Sequence, residues 1–93
     1  MSVPVQLQQT VTIRNNYGLH ARPAAQFVKL ANRFQSEIFV RKQELEVNGK
    51  SIMGMMMLAA EFGSDIVIRA AGDDAETALR ELVELVEHKF NEE

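Results

Sequence analysis

In the stretch Tyr17-Gly18-Leu19-His20-Ala21-Arg22-Pro23-Ala24, a histidine follows a glycine turn and stands three positions before a proline. Proline fits the first turn of a helix, where its missing N–H costs nothing. The spacing therefore sets His20 beside a helix N-terminus, where free backbone N–H groups and the positive end of the helix dipole collect. Imidazole is largely neutral at cytoplasmic pH, and the neutral ring is a nucleophile. An anion attached to it at such a place would be held. That is the chemistry of a histidine that carries a phosphoryl group. Arg22 offers a fork of donors to phosphate oxygens. A cation is mildly unfavourable at a helix start, which marks Arg22 for a task on the phosphate.

Ser51 is the second candidate. It stands where a helix begins and suits an N-cap. A phosphate on its hydroxyl would be favoured by the helix N-terminus. His88 falls on the polar side of the last helical segment and reads as solvated. Two distant histidines without a cysteine make a poor metal site, so neither metal nor cofactor is expected.

These residues need elements to hold them. Leu7 to Ile13 alternates as a half-buried strand, with Val11 and Ile13 on one face. A first helix is expected from Ala21 to Arg33, its apolar stripe being Ala24, Phe27, Val28 and Ala31. Glu37 to Lys42 alternates again, with Ile38 and Val40 inward. A turn near Gln43 leads to a short strand marked by Leu45 and Val47. Ser51 opens a second helix and Gly63 is expected to close it. Ile66 to Ile68 form a fourth strand. Gly72-Asp73-Asp74 turns into a last helix, where Asp73 and Glu76 have capping-box spacing. Ala75, Ala78, Leu79, Leu82, Val86 and Phe90 share its apolar face. The order β-α-β-β-α-β-α predicts an α+β two-layer domain, its sheet covered on one face and open on the other.

The second helix breaks the pattern. Ile52-Met53-Gly54-Met55-Met56-Met57-Leu58-Ala59-Ala60 is apolar all round. Helical spacing pairs positions 52 and 56 on one side, and 55 and 58 on another. A short helix on a small domain cannot bury both. Methionine adapts its shape and suits surfaces that meet several partners.

Composition narrows the classes. Ninety-three residues with 46% hydrophobic content predict one domain, residues 1–93, with one modest core. A formal charge of −3 argues against nucleic acid. No cysteine is present, so disulfides and thiolate sites are excluded. No stretch approaches the roughly 20 apolar residues of a membrane span. No signal-peptide pattern opens the chain. A cytoplasmic protein, associated with neither membrane nor nucleic acid, is the expectation.

Gly18-Leu19-His20-Ala21-Arg22-Pro23-Ala24 and Val47-Asn48-Gly49-Lys50-Ser51-Ile52-Met53-Gly54 also carry a resemblance. With Ala24 to Lys29, they resemble the HPr family of the bacterial phosphotransferase system, over most of the chain. The resemblance implies an open-faced sandwich: a four-stranded antiparallel sheet in the order 1-4-2-3, with three helices on one face. It implies a monomeric carrier with no turnover of its own. Enzyme I would pass a phosphoryl group from phosphoenolpyruvate to Nδ1 of His20, and an enzyme IIA domain would take it. It adds that an HPr kinase/phosphorylase phosphorylates the matching serine in some members, here Ser51. It also chooses the outward side of the second helix. Leu19, Ile52, Met53 and Met56 would surround His20 as an exposed docking patch, with Met55 and Leu58 inward. The methionine-rich Met55-Met56-Met57 departs from the usual pattern and leaves sugar transport unassured. The alternative is a regulatory paralogue of the nitrogen-type branch that acts mainly by binding partner proteins.

Overall fold

The computed structural model describes residues 5–91; the expected domain span of 1–93 runs past them at both ends. Strands β1 (Gln6–Thr12), β2 (Glu37–Lys42), β3 (Leu45–Asn48) and β4 (Asp65–Ala71) form one antiparallel sheet in the order β1-β4-β2-β3. The helices are α1 (Ala21–Ala31), α2 (Ile52–Met57) and α3 (Ala75–Glu87). The expected open-faced sandwich and its strand order are both found.

Alternation makes the sheet two-faced. In β4, Ile66, Ile68 and Ala70 are buried while Val67 and Arg69 reach the other face. Val11 pairs with Ile66, and Val40 with Ile68, so the inward rows of three strands line up. Against them pack Phe27 and Val28 of α1, Met55 of α2, and Leu82 and Val86 of α3. On the open face the Arg69 guanidinium lies 4.2 Å from the Phe39 ring centre and 2.9 Å from Glu46.

Several boundaries differ from expectation. α1 ends at Ala31, and Asn32 Nδ2 donates back to the Val28 carbonyl at 3.0 Å. α2 does not reach Gly63. It ends at Met57, and Ala59 takes the left-handed region at φ 50°. The chain leaves the helix there because Ala60 is required elsewhere: its carbonyl accepts from Leu19 N at 2.8 Å. Gly63, at φ 86°, instead turns the chain into β4, and its N–H donates to the Ile13 carbonyl at 2.9 Å.

The expected capping box is also absent. Asp74 is the N-cap of α3, and its side chain makes no cap hydrogen bond. Its carboxylate instead accepts from Gln35 N at 2.8 Å, Ser36 N at 2.9 Å and the Ser36 hydroxyl. It clips the start of α3 to the loop before β2. Phe90 is buried, yet it lies beyond α3 in a C-terminal turn, Lys89–Asn91.

Candidate functional site

The loop before α1 is built on Asn15 and Gly18. Asn15 is fully buried, and its Nδ2 donates to the Gly18 carbonyl at 2.7 Å. Gly18 N donates to the Asn15 carbonyl at 3.2 Å, closing the turn. Gly18 sits at φ 69°, and a Cβ there would run into the Ala60 carbonyl. Only glycine meets both conditions. The next residue, Leu19, is bonded to that carbonyl and enters the core at 5% exposure. Leu19 therefore does not belong to an exposed docking patch; its backbone anchor draws the side chain inward.

His20 follows as the N-cap of α1, with extended backbone (φ −86°, ψ −173°). Its N–H donates to the Gly18 carbonyl, and its carbonyl accepts from Ala24 N, both at 3.0 Å. The side chain does not cap the helix. The ring is half-buried, and its Nε2 atom is shielded from solvent. The Tyr17 ring stands at 83° to it, centre to centre 6.3 Å. Arg22 and Pro23 complete the first turn. Pro23 is buried and Arg22 exposed.

These residues border one surface hollow of about 660 Å³, lined by Asn16, Tyr17, His20, Arg22, Gln26, Phe90 and Asn91. His20 and Arg22 are thus brought together as expected. Gln26 follows Arg22 by one helical turn, so its place could have been read from spacing. Phe90 and Asn91 arrive from the far end of the chain, and no local pattern announces them.

Ser51 is the N-cap of α2, and its Oγ accepts from Gly54 N at 3.0 Å. Met53 is 76% exposed, Met56 44% and Ile52 43%, whereas Met55 and Leu58 are buried. The helix presents the two sides that spacing and resemblance assigned. Its exposed residues do not line the hollow. His88 is exposed on the polar side of α3. Among the described residues no group of three His, Cys, Asp or Glu side chains could hold a metal ion. No described helix is long and apolar enough to cross a membrane.

The family described as "PTS HPr component phosphorylation site" matches residues 7–88. The chain belongs to the HPr family. The phosphocarrier protein HPr of Xylella fastidiosa is 45% identical over 87 residues, covering 94% of this chain and 98% of that protein. The HPr-like protein Crh of Bacillus subtilis is 46% identical over 83 residues, or 89% of this chain and 98% of Crh. The crystal structure of HPr-C-His from Thermoanaerobacter tengcongensis has a TM-score of 0.90 at 49% identity, covering 94% of this chain and 98% of that one. An HPr dimer from the same organism is also similar, with a TM-score of 0.75 at 50% identity. HPr is a family of phosphocarriers of the phosphotransferase system.

Proposed function

We propose that His20 relays a phosphoryl group from phosphorylated enzyme I to an enzyme IIA domain. The observation that carries this reading is the helix-start histidine in a hollow shared with Arg22. The nitrogen that meets phosphorus is Nδ1, as the HPr resemblance implies. Its lone pair forms the N–P bond as the bond from phosphorus to the donor atom breaks, and the donor keeps those electrons. Nε2 retains its proton. The second transfer reverses these roles, with the acceptor attacking phosphorus and the electron pair returning to Nδ1. Arg22 and the backbone N–H groups of Ala21 and Arg22 offset charge on the moving group. Pro23 supplies no N–H.

Ile52, Met53 and Met56 form the docking patch for enzyme I and enzyme IIA, which places the protein in the cytoplasm with them. Flexible thioethers let one small surface serve both partners. Ser51 is a regulatory site for an HPr kinase/phosphorylase. Its phosphate would bring nearly two negative charges beside Ile52 and Met53 and impede docking.

Enzyme I with phosphoenolpyruvate should label the protein with acid-labile phosphate. His20→Ala should abolish the label, and His88→Ala should leave it. Labelling that survives His20→Ala overturns the assignment. The similarity to Crh supports a second reading, a regulatory paralogue that works by binding. An unlabelled wild-type chain that still binds partner proteins would favour it.

A further inference from the structure

The C-terminal turn has an unusual backbone. Lys89, Phe90 and Asn91 take φ values of 56°, 54° and 63°, three left-handed residues in succession. Side chains with a Cβ resist this region, and a bulky residue such as Phe90 is an outlier there. The surrounding structure holds the turn in place. Phe90 is 1% exposed within the core cluster, and Asn91 N donates to the His88 carbonyl at 3.0 Å. Strained backbone that packing enforces is a pointer to function. Here its result is that Asn91 reaches the hollow of His20 and Arg22.

The lining has a charge bias as well. The protein has 13 Asp and Glu residues and a net charge of −3. Among the described residues, none of these carboxylates lines the hollow; Arg22 is its charged member, beside the carboxamides of Asn16, Gln26 and Asn91. Such a lining suits an anion. A carboxamide has two N–H donors to give, and hydrogen bonds to a charged acceptor are the stronger kind.

We propose that Asn91 is a phosphoryl-binding residue, donating its side-chain N–H to an oxygen of the group carried by His20. The inference rests on the relay reading above and adds a donor from the opposite end of the chain. Asparagine suits both demands of the position, since it tolerates the left-handed region better than most residues and brings the donor.

The test uses phosphoramidate, which phosphorylates histidine without enzyme I. The imidazole lone pair forms the N–P bond, the P–N bond to ammonia breaks, and ammonia leaves. In the wild-type protein, the Asn91 side-chain amide resonances should shift when His20 is phosphorylated. Asn91→Gly keeps the turn, because glycine takes positive φ freely, and removes the carboxamide. Its labelling rate, followed by phosphorus NMR, should fall about tenfold, the loss of one hydrogen bond to a charged group. Asn91→Asp also tolerates the turn and should label more slowly still, through like-charge repulsion. Thermal melts should find both variants folded. Labelling of both at the wild-type rate, with unmoved Asn91 resonances, overturns the proposal. If enzyme I fails to label the wild-type chain while phosphoramidate succeeds, the relay reading fails and the Asn91 test still returns its answer.

Discussion

Helices α1 and α2 pack against each other and begin in opposite ways. At α2, Ser51 turns its hydroxyl back to accept from Gly54 N, so the helix is capped by its own residue. At α1 the N-cap is His20, whose side chain does not cap the helix and instead borders the hollow with Arg22. One start spends its polar side chain on the helix, and the other leaves it facing the hollow. The faces differ too. α1 buries a full stripe, Ala24, Phe27, Val28 and Ala31. α2 buries Met55 and exposes Met53, Met56 and Met57. The helix that starts at the hollow is firmly seated, and the helix with the exposed methionines is a short shelf beside it.

The largest effect comes from exchanging the caps. His20→Ser and His20→Ala should both lose all enzyme I-dependent label. Both lose the ring, so their difference isolates the cap. Serine should make the domain more stable than alanine by about 1 kcal/mol, a rise of roughly 4–8 °C in Tm for a domain of this size. Equal melting points would mean that α1 has no use for a side-chain cap.

Next is the division of α2 into two sides. Met55→Glu puts an unpaired carboxylate into a site with 0% exposure, and should destabilise by several kcal/mol. Met56→Glu, at a position 44% exposed, should leave the melt nearly unchanged and weaken binding to enzyme I. Calorimetry on the two variants checks both halves. A reversed pair of melts would reverse the sides.

How far these differences are legible in the sequence depends on the range of the interaction. Period-two alternation locates Glu37–Lys42 as β2, and i, i+4 spacing separates Met56 from Met55, because each depends on neighbours in the chain. The strand order follows from the resemblance alone. The misses share a long-range cause. Gly63 looked like a helix stop, but Ala59 breaks the helix so that Ala60 can hold Leu19. The resemblance puts Leu19 at the surface, and nothing nearby in the chain shows that its N–H is bound 41 positions on. Phe90 keeps the period of α3 while sitting in a left-handed turn outside it. At the hollow, His20 and Arg22 announce themselves by motif, as Ser51 does at the start of α2, whereas Asn91 reaches the hollow only through the fold.

A smaller effect tests the self-capped start. Ser51→Ala removes the acceptor for Gly54 N and should cost about 1 kcal/mol. Ser51→Asp should restore the cap and the melt, yet reduce transfer from enzyme I. Full activity in the Asp variant would confine Ser51 to capping.

The smallest effect concerns the third start, at α3, where the cap side chain serves a neighbouring loop instead of its helix. The Ser36 hydroxyl, followed by the Gln35 N–H, holds the Asp74 carboxyl below its usual value, against the opposing effect of desolvation. A carboxylate whose pKa is lower in the folded chain binds fewer protons there than in the unfolded chain. Its contribution to stability is therefore complete above the ordinary carboxylate range. It is lost as pH falls below 3.8 toward the depressed folded value. Asp74→Asn should flatten that acid limb of a stability–pH curve and leave the neutral-pH phosphorylation of His20 unchanged, since Asp74 does not line the hollow. An identical acid limb in the variant and the wild type would show that the clip between α3 and the loop before β2 does not depend on the charge.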